Sequence, residues 1–469
     1  MKKLFLTLCL LIGFASVYAQ SSNRHRVVIL TDIEADPDDT QSLIRYLLYS
    51  NQLDTEGLIA TTSIHQKTQV FPESIQKVLE AYRVAHPNLL LHEKGFPAYE
   101  DFLPLVKKGL PVYGMEGVGE GKDSEGSEWI IKVLEKNDDR PVWFSVWGGP
   151  NTLAQALWKI RETKSKEEAQ KLLDKVRIYT ISDQDDSGPW IRNEFPSVFF
   201  VVTPGYSYGP ATWIGIASSV PGSDTTTVSN YWLAKNIQQG HGPLGAAYPD
   251  VAYGMEGDTP AYLSLIPNGL NDAERPNFGG WGGRYEYYLP EFKDSNSGGF
   301  RRENWPKDQP ETRAIWTNAN DSIVSSVDKK VYFGNKETIW RWRNAYQNDF
   351  AARMDWATKS FAEANHPPVP RLAHPDQFTV KSGEQFYLNA DGTSDPDGDS
   401  VSYLWFQYKE AGTFPGRVSF RPYASNLYRL PVTAPKVTKP ETIHFILQVT
   451  DKGSPALTRY KRVIVTVIP

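Results

Sequence analysis

The chain has 469 residues, 40% of them hydrophobic and 13% aromatic, with 50 lysines and arginines against 55 aspartates and glutamates, a formal charge of −5. That length exceeds what a single hydrophobic core usually serves, so two domains are expected. The acidic balance offers no basic surface and argues against nucleic acid as a partner, leaving free nucleosides and neutral sugars open.

In chain order, Lys2 and Lys3 precede an apolar run over residues 4–17, with the small residues Ser16 and Ala19 just before Gln20. This pattern predicts a signal peptide over residues 1–20 and a periplasmic or extracellular destination. The run is short for a membrane span, and none is expected. The single cysteine, Cys9, lies inside it behind Leu8, which is not the small residue that a lipoprotein signal needs. The mature chain would then be thiol-free, which excludes disulfides and thiolate catalysis.

From residue 26 to about 202 strand and helix signals alternate. Strands are predicted at 27–30, 57–62, 142–147, 176–181 and 198–202, and helices at 41–50, 73–86, 127–134 and 152–161. This implies βαβ units and a mostly parallel sheet flanked by helices, with the ligand beyond the carboxyl ends of the strands. Residues 204–308 are rich in Gly, Pro, Trp and Tyr, as loops that elaborate a site are; helical texture returns over 336–364. The run His366-Pro367-Pro368-Val369-Pro370 marks a boundary between a domain at 24–365 and one at 366–469. Beyond it, strands at 385–388, 401–408, 443–449 and 460–467 predict an all-β, Ig-like sandwich. The stretch from Asp391 to Asp399 is an Asp/Gly turn or a calcium loop of the kind found in PKD-type and cadherin-like modules; its residue types suit both.

The strongest signal follows the first strand: Thr31-Asp32-Ile33-Glu34-Ala35-Asp36-Pro37-Asp38-Asp39. A helix cap needs one carboxylate, and here there are five, which repel unless a cation neutralises them. Oxygen donors without His or Cys suit a hard ion, Ca²⁺ or Mg²⁺.

This loop resembles that of the inosine-uridine-preferring nucleoside hydrolases, Asp-x-Asp-x-x-x-Asp-Asp, with Glu34 in place of the second Asp. Four further segments match in order: Val112-Tyr-Gly-Met-Glu116-Gly-Val-Gly119, Gly148-Gly-Pro-Asn151-Thr-Leu-Ala154, Asn193-Glu194-Phe195-Pro196 and Glu256-Gly257-Asp258-Thr259-Pro260. The whole chain, with its β-rich tail, is similar to a secreted nucleoside-hydrolase-like branch described as cellulose-binding. The resemblance implies calcium held by Glu34, Asp39, the Asn151 backbone carbonyl and Asp258, with Asp32 bracing the metal cluster. It implies that Asp38, Glu116, Asn193 and Glu194 hold the substrate, and that a metal-activated water, deprotonated by Glu34, attacks the anomeric carbon beside Asp38. Glu34, Gly257 (for His), Pro196 (for Asn) and Tyr113 (for His) depart from the pattern. The sugar end is partly kept and the nucleobase end is not.

The run from Asp183 to Asp186 ends a strand at the same edge of the sheet, which makes Asp185 a substrate-binding candidate. His65 and His241 could donate a proton or be surface polar residues; Trp190, Trp213, Trp281 and Tyr285 could stack on a ligand or pack in the core. The expected activity is calcium-dependent hydrolysis of N-ribosyl or related glycosidic bonds, with polysaccharide a possible partner of the second domain. The alternative is a carbohydrate-binding protein without turnover.

Overall fold

The computed structural model describes residues 24–217, 220–291, 308–419 and 426–469. The expected signal peptide lies outside the described residues, among which no helix is long and apolar enough to cross a membrane.

Eight strands form the main sheet: β1 (His25–Thr31), β2 (Leu53–Ala60), β3 (Val106–Lys108), β4 (Val142–Val146), β5 (Val176–Ser182), β6 (Phe199–Thr203), β7 (Tyr285–Tyr288) and β8 (Ile315–Asn318). Their order is β3-β2-β1-β4-β5-β6-β8-β7, parallel except for β7. Val27 and Ile29 point into one core and Val28 and Leu30 into the other, and all four are fully buried. A strand covered on both faces reads as an unbroken apolar run for this reason. Helices α1 (Asp38–Leu48) and α2 (Pro72–His92) supply the first core, and the helices Glu125–Glu135 and Asn151–Thr163 the second. α2 runs past Pro87 to His92, beyond the expected end, because Leu89 and His92 are still buried there. The loop-rich stretch also contributes β7, which the aromatic repeat Tyr285-Glu286-Tyr287-Tyr288 did not announce.

β1 lies between β2 and β4, so the chain leaves β1 and β4 in opposite directions and opens a crevice at their carboxyl ends. The crevice is pinned by backbone bonds: Trp147 N–H donates to the Leu30 carbonyl and Thr61 N–H to that of Thr31, both at 2.8 Å.

β9 (Asp321–Val324) and β10 (Val331–Gly334) form an antiparallel pair ahead of the C-terminal domain, which is all β. β11 (Gln377–Lys381), β16 (Thr458–Ile468), β15 (Glu441–Thr450) and β13 (Ser402–Gln407) form one sheet, and β12 (Gln385–Asn389) with β14 (Arg429–Thr433) a second. Leu388 and Val432 from one meet Trp405, Phe445 and Val463 from the other in a shared core. β11 and β14 add to the four expected strands.

The proline-rich junction is part of a packed interface. His366 is buried and stacks on Phe361, centroids 3.9 Å apart. His92 Nε2 lies 2.9 Å from the Lys359 carbonyl, His92 Nδ1 2.9 Å from His366 Nε2, and His366 Nδ1 2.9 Å from Asp397. Nearby, Trp342 packs on Tyr408 and Tyr460 of the second domain. Asp349 accepts from Tyr49 Oη and Arg459, each at 2.6 Å, and lies 3.5 Å from Arg353.

Removing the Asp349 carboxylate leaves the buried Arg459 without its carboxylate and Arg353 with Glu93 alone, a change that costs about 3–5 kcal/mol. Asp349→Ala is therefore expected to lower the denaturation midpoint of both domains together, while Glu162→Ala, at an exposed pair with Arg161, costs under about 1 kcal/mol. Two separate transitions with an unmoved first midpoint would refute the interface as a stability element.

Candidate metal centre

The acidic loop turns sharply after β1. Ala35 N–H donates to the Asp32 carbonyl (2.9 Å) and Asp38 N–H to Asp36 Oδ1 (3.1 Å), which delivers the chain into α1. Thr31 Oγ1 donates to Asp39, and Gly257 N–H donates to Asp38 Oδ2 at 3.1 Å. Carboxylate oxygens of Asp36, Asp38 and Asp39 lie within 4.8 Å of one another. Asp258 joins them from the far side; it is 2% exposed, and its Oδ2 has no hydrogen-bond partner.

Burial first, then repulsion from neighbouring carboxylates, raises the pKa of Asp32, Asp38, Asp39 and Asp258. Asp38, Asp39 and Asp258 are held well above the usual carboxylate range, and Asp32 is pushed up to about 6. The charges acting on Asp258 are those of Asp38, Asp39, Asp32 and Asp36, so the five carboxyls form one electrostatic unit. An oxygen-only donor set with an orphaned buried oxygen fits a hard divalent cation.

α1 holds both halves of this group. Asp38 and Asp39 sit in its first turn, and its buried polar side grips the segment that carries Asp258. Arg45 pairs with Glu256 at 2.7 Å, Gln41 Oε1 accepts from Glu256 N–H (3.0 Å), and Thr259 Oγ1 donates to Ser42 Oγ (2.9 Å). Arg45 and Gln41 interrupt the apolar stripe of α1, which was the available sign of a buried polar partner.

Several expected site residues lie elsewhere. Glu34 is exposed, in a left-handed conformation (φ 82°), and stands outside the clustered oxygens; the turn there brings Asp36 into the group instead. Asn193 and Glu194 end the helix Ser187–Glu194, which runs back from the carboxyl end of β5 and so leaves them at the opposite edge of the sheet. They are exposed, with Glu194 paired to Arg161 (2.8 Å) and Asn193 accepting from Thr312. A substrate role for these two is withdrawn. Glu116 is exposed on the turn Gly114–Gly117. The Asn151 carboxamide is spent as a brace, accepting from Thr61 Oγ1 (2.7 Å) and donating to Thr62 Oγ1 and the Val112 carbonyl.

Asp185 is placed as expected. It is fully buried, accepts from Ser187 N–H (2.8 Å), has an unpartnered Oδ2, and is pushed up to about 7 by burial against the Ser187 bonds. A Cβ on Gly149 would fall 2.2 Å from Asp185 Oδ2, and one on Gly148 would fall 2.7 Å from Asp32 Oδ1. The diglycine is thus dictated by two flanking carboxyls. Asp183, by contrast, is committed to Arg192.

Of the aromatic candidates, Trp213 alone borders the centre. Its Nε1 donates to Ser182 Oγ (3.0 Å), and a Cβ on Gly257 would lie 2.9 Å from its ring and 2.6 Å from Asp38 Oδ2. Glycine at 257 follows from that crowding. Trp190 packs on Phe195, Trp281 is fully buried, and Tyr285 bonds Tyr179 in the core. His241 is buried against Asp355, whereas His65 Nε2 lies 2.8 Å from Tyr208 Oη. The Tyr208 phenol, whose ring packs on Trp213, is held far above its usual range by burial and by the charges of Asp32, Asp36, Asp38 and Asp258; nothing in the loop sequence had marked it.

Residues 26–285 match the family model of the nucleoside hydrolase-like domain of cellulose-binding Sde182, and residues 385–467 that of the C-terminal domain of cellulose-binding protein Sde0182. A solved structure from Saccharophagus degradans, described as a nucleoside hydrolase-related hypothetical protein associated with carbohydrate metabolism, is 36% identical. It superposes with a TM-score of 0.78 over 95% of this chain and 100% of that one. The effector protein XOO4466 is a distant match (10% identity, TM-score 0.36, 72% of this chain and 94% of that chain). No curated protein matches. With more than half its length inside the first family model, the chain belongs to the cellulose-binding Sde182 family with a nucleoside hydrolase-like domain.

Proposed function

We propose that the protein is an exported, calcium-dependent hydrolase of N-ribosyl or related glycosidic bonds, with a C-terminal, Ig-like domain that holds polysaccharide. The observation that carries the reading is the group of five carboxyls at the crevice between β1 and β4, with Asp32, Asp39 and Asp258 buried, Asp36 and Asp38 partly so, and one Asp258 oxygen lacking any donor. Asp36, Asp39 and Asp258 would hold calcium and Asp32 would brace them, which moves to Asp36 the place first expected of Glu34. A bound calcium would supply Lewis-acid activation of water and offset the carboxylate repulsion. Asp38, anchored by Gly257 N–H, is placed to take sugar hydroxyls, and the negative group favours a transition state with oxocarbenium character. Asp185, with a free buried oxygen, takes a further hydroxyl. Tyr208, linked to the exposed His65, would give the leaving atom its proton, in place of the group that Gly257 lacks. The family's description as cellulose-binding supports the polysaccharide part.

The exposure of Glu34 favours a second reading, a carbohydrate-binding protein without turnover, because the base expected beside the metal is turned to solvent.

Calorimetric titration with Ca²⁺ should show binding that Asp39→Ala weakens by at least about 10-fold, while Glu34→Ala binds as the parent does. Unchanged affinity in Asp39→Ala would remove the metal centre.

Release of free base or reducing sugar from a panel of nucleosides and glycosides tests turnover. Hydrolysis that falls with Asp38→Asn supports the enzyme, and an inert parent protein that still binds sugar establishes the second reading.

For pH, a carboxyl whose folded pKa is raised adds stability below its unfolded pKa of about 4 and loses it as pH rises. With Asp32 near 6 and Asp185 near 7, the thermal midpoint of the calcium-free protein is expected to fall between about pH 4 and pH 8. Calcium should restore it at the upper end. A calcium-free midpoint that climbs across this window would contradict the geometry.

A further inference from the structure

We infer that the groove at the domain junction is a glycan-binding cleft that takes a run of β-linked hexose units; this rests on the polysaccharide reading of the C-terminal domain and assigns it residues. The groove encloses about 480 Å³, within the range of small-molecule sites, and both domains line it.

Its wall is an aromatic plane supported from behind. Phe361 is 43% exposed, and its ring lies on His366 at 3.9 Å and 17°. His366 in turn lies on His92 and Trp356, with centroids 5.1 and 5.2 Å away, and the hydrogen-bonded chain from Lys359 to Asp397 locks both imidazoles. Such a ring loses little freedom when a ligand covers it, and a flat apolar face with fixed orientation suits the C–H face of a pyranose. Pro267, Pro368 and Pro396 continue the apolar lining with rigid rings that bring no N–H. Lys461 supplies the polar edge: its ammonium has no acceptor among the described residues and is free to donate to hydroxyls.

A ligand that is apolar on its faces and hydroxylated at its rim matches this lining. A hydrophobic helix would leave the Lys461 ammonium desolvated. Pro396 and Lys461 also belong to the segment that matches the C-terminal domain of a cellulose-binding protein, so the glycan reading and the groove meet on the same residues.

The test uses the full-length protein with cellohexaose in calorimetry and microcrystalline cellulose in pull-down. The parent is expected to bind, Phe361→Ala to bind about 3- to 10-fold more weakly, and Phe361→Tyr to retain affinity. Lys461→Ala, which removes nothing beneath the ring, should also weaken binding if the ammonium donates to the glycan. Tyr387→Ala, on an exposed aromatic of β12, should leave binding unchanged. Binding that survives both groove variants and falls with Tyr387→Ala overturns the groove alone. A parent protein that binds neither glucan overturns the polysaccharide reading with it. Neither outcome touches the calcium titration, which concerns the other end of the sheet.

Discussion

Like charges forced together out of water are the constraint around which this molecule is arranged. At a separation of 4.8 Å, an ionised carboxylate pair is unfavourable by about 3 kcal/mol at an effective dielectric of about 20, and five groups share the burial. The fold opposes that repulsion with directed scaffolding. β1 delivers Asp32, the first turn of α1 delivers Asp38 and Asp39, and the Arg45–Glu256 pair on the next turns of the same helix fixes the segment that carries Asp258. Arg45 is buried and opposed by one carboxylate, so it neutralises Glu256, and among the described residues no lysine or arginine pairs with the five carboxyls. The proposed calcium would supply the balancing charge.

Much of the fold was legible because covered parallel strands and amphipathic helices leave strong periodic signals. Val27 to Leu30 and the stripe of α1 are examples. The edge of the sheet was harder. β7 and β8 are four residues each, too short for a period to declare itself, and they sit among glycines and prolines that read as loop. In the site, the acidic loop was legible as chemistry, since five carboxyls in eight residues have few structural uses. Which of the five converge was not. That depends on a single left-handed residue, Glu34, and backbone handedness at a non-glycine position has no compositional mark. The same limit explains Asn193 and Glu194. A matching tetrapeptide fixes residue types, whereas the direction of the helix that carries them sends these two to the wrong end of the sheet.

The pairing of Trp213 with Gly257 shows how one substitution propagates through a packed site. With a Cβ at 257 excluded by the indole ring and by Asp38 Oδ2, no side chain can enter there. The space beside Gly257 is instead bounded by an indole pinned to Ser182, which meets the Tyr208 ring edge to face at 5.7 Å. Both rings are flat and carry one polar atom each.

The two domains then act as one body. The interface combines a buried carboxylate shared by Tyr49, Arg353 and Arg459, a tryptophan set among tyrosines, and a backbone bond from Tyr460 N–H to the Asn268 carbonyl, where Gly269 (φ 85°) admits the close approach. Residues of β15 and β16 join the core of the first domain. A flexible tether would let a captured polymer sample many positions, with an effective concentration set by linker length. A fixed interface removes that freedom. The helix α2, whose carboxyl end carries His92 into the junction groove, starts at the edge of the sheet where the acidic centre lies, so the two regions stand at a set separation. On the proposed reading, whatever the second domain holds would be presented at one distance and orientation relative to the carboxyls.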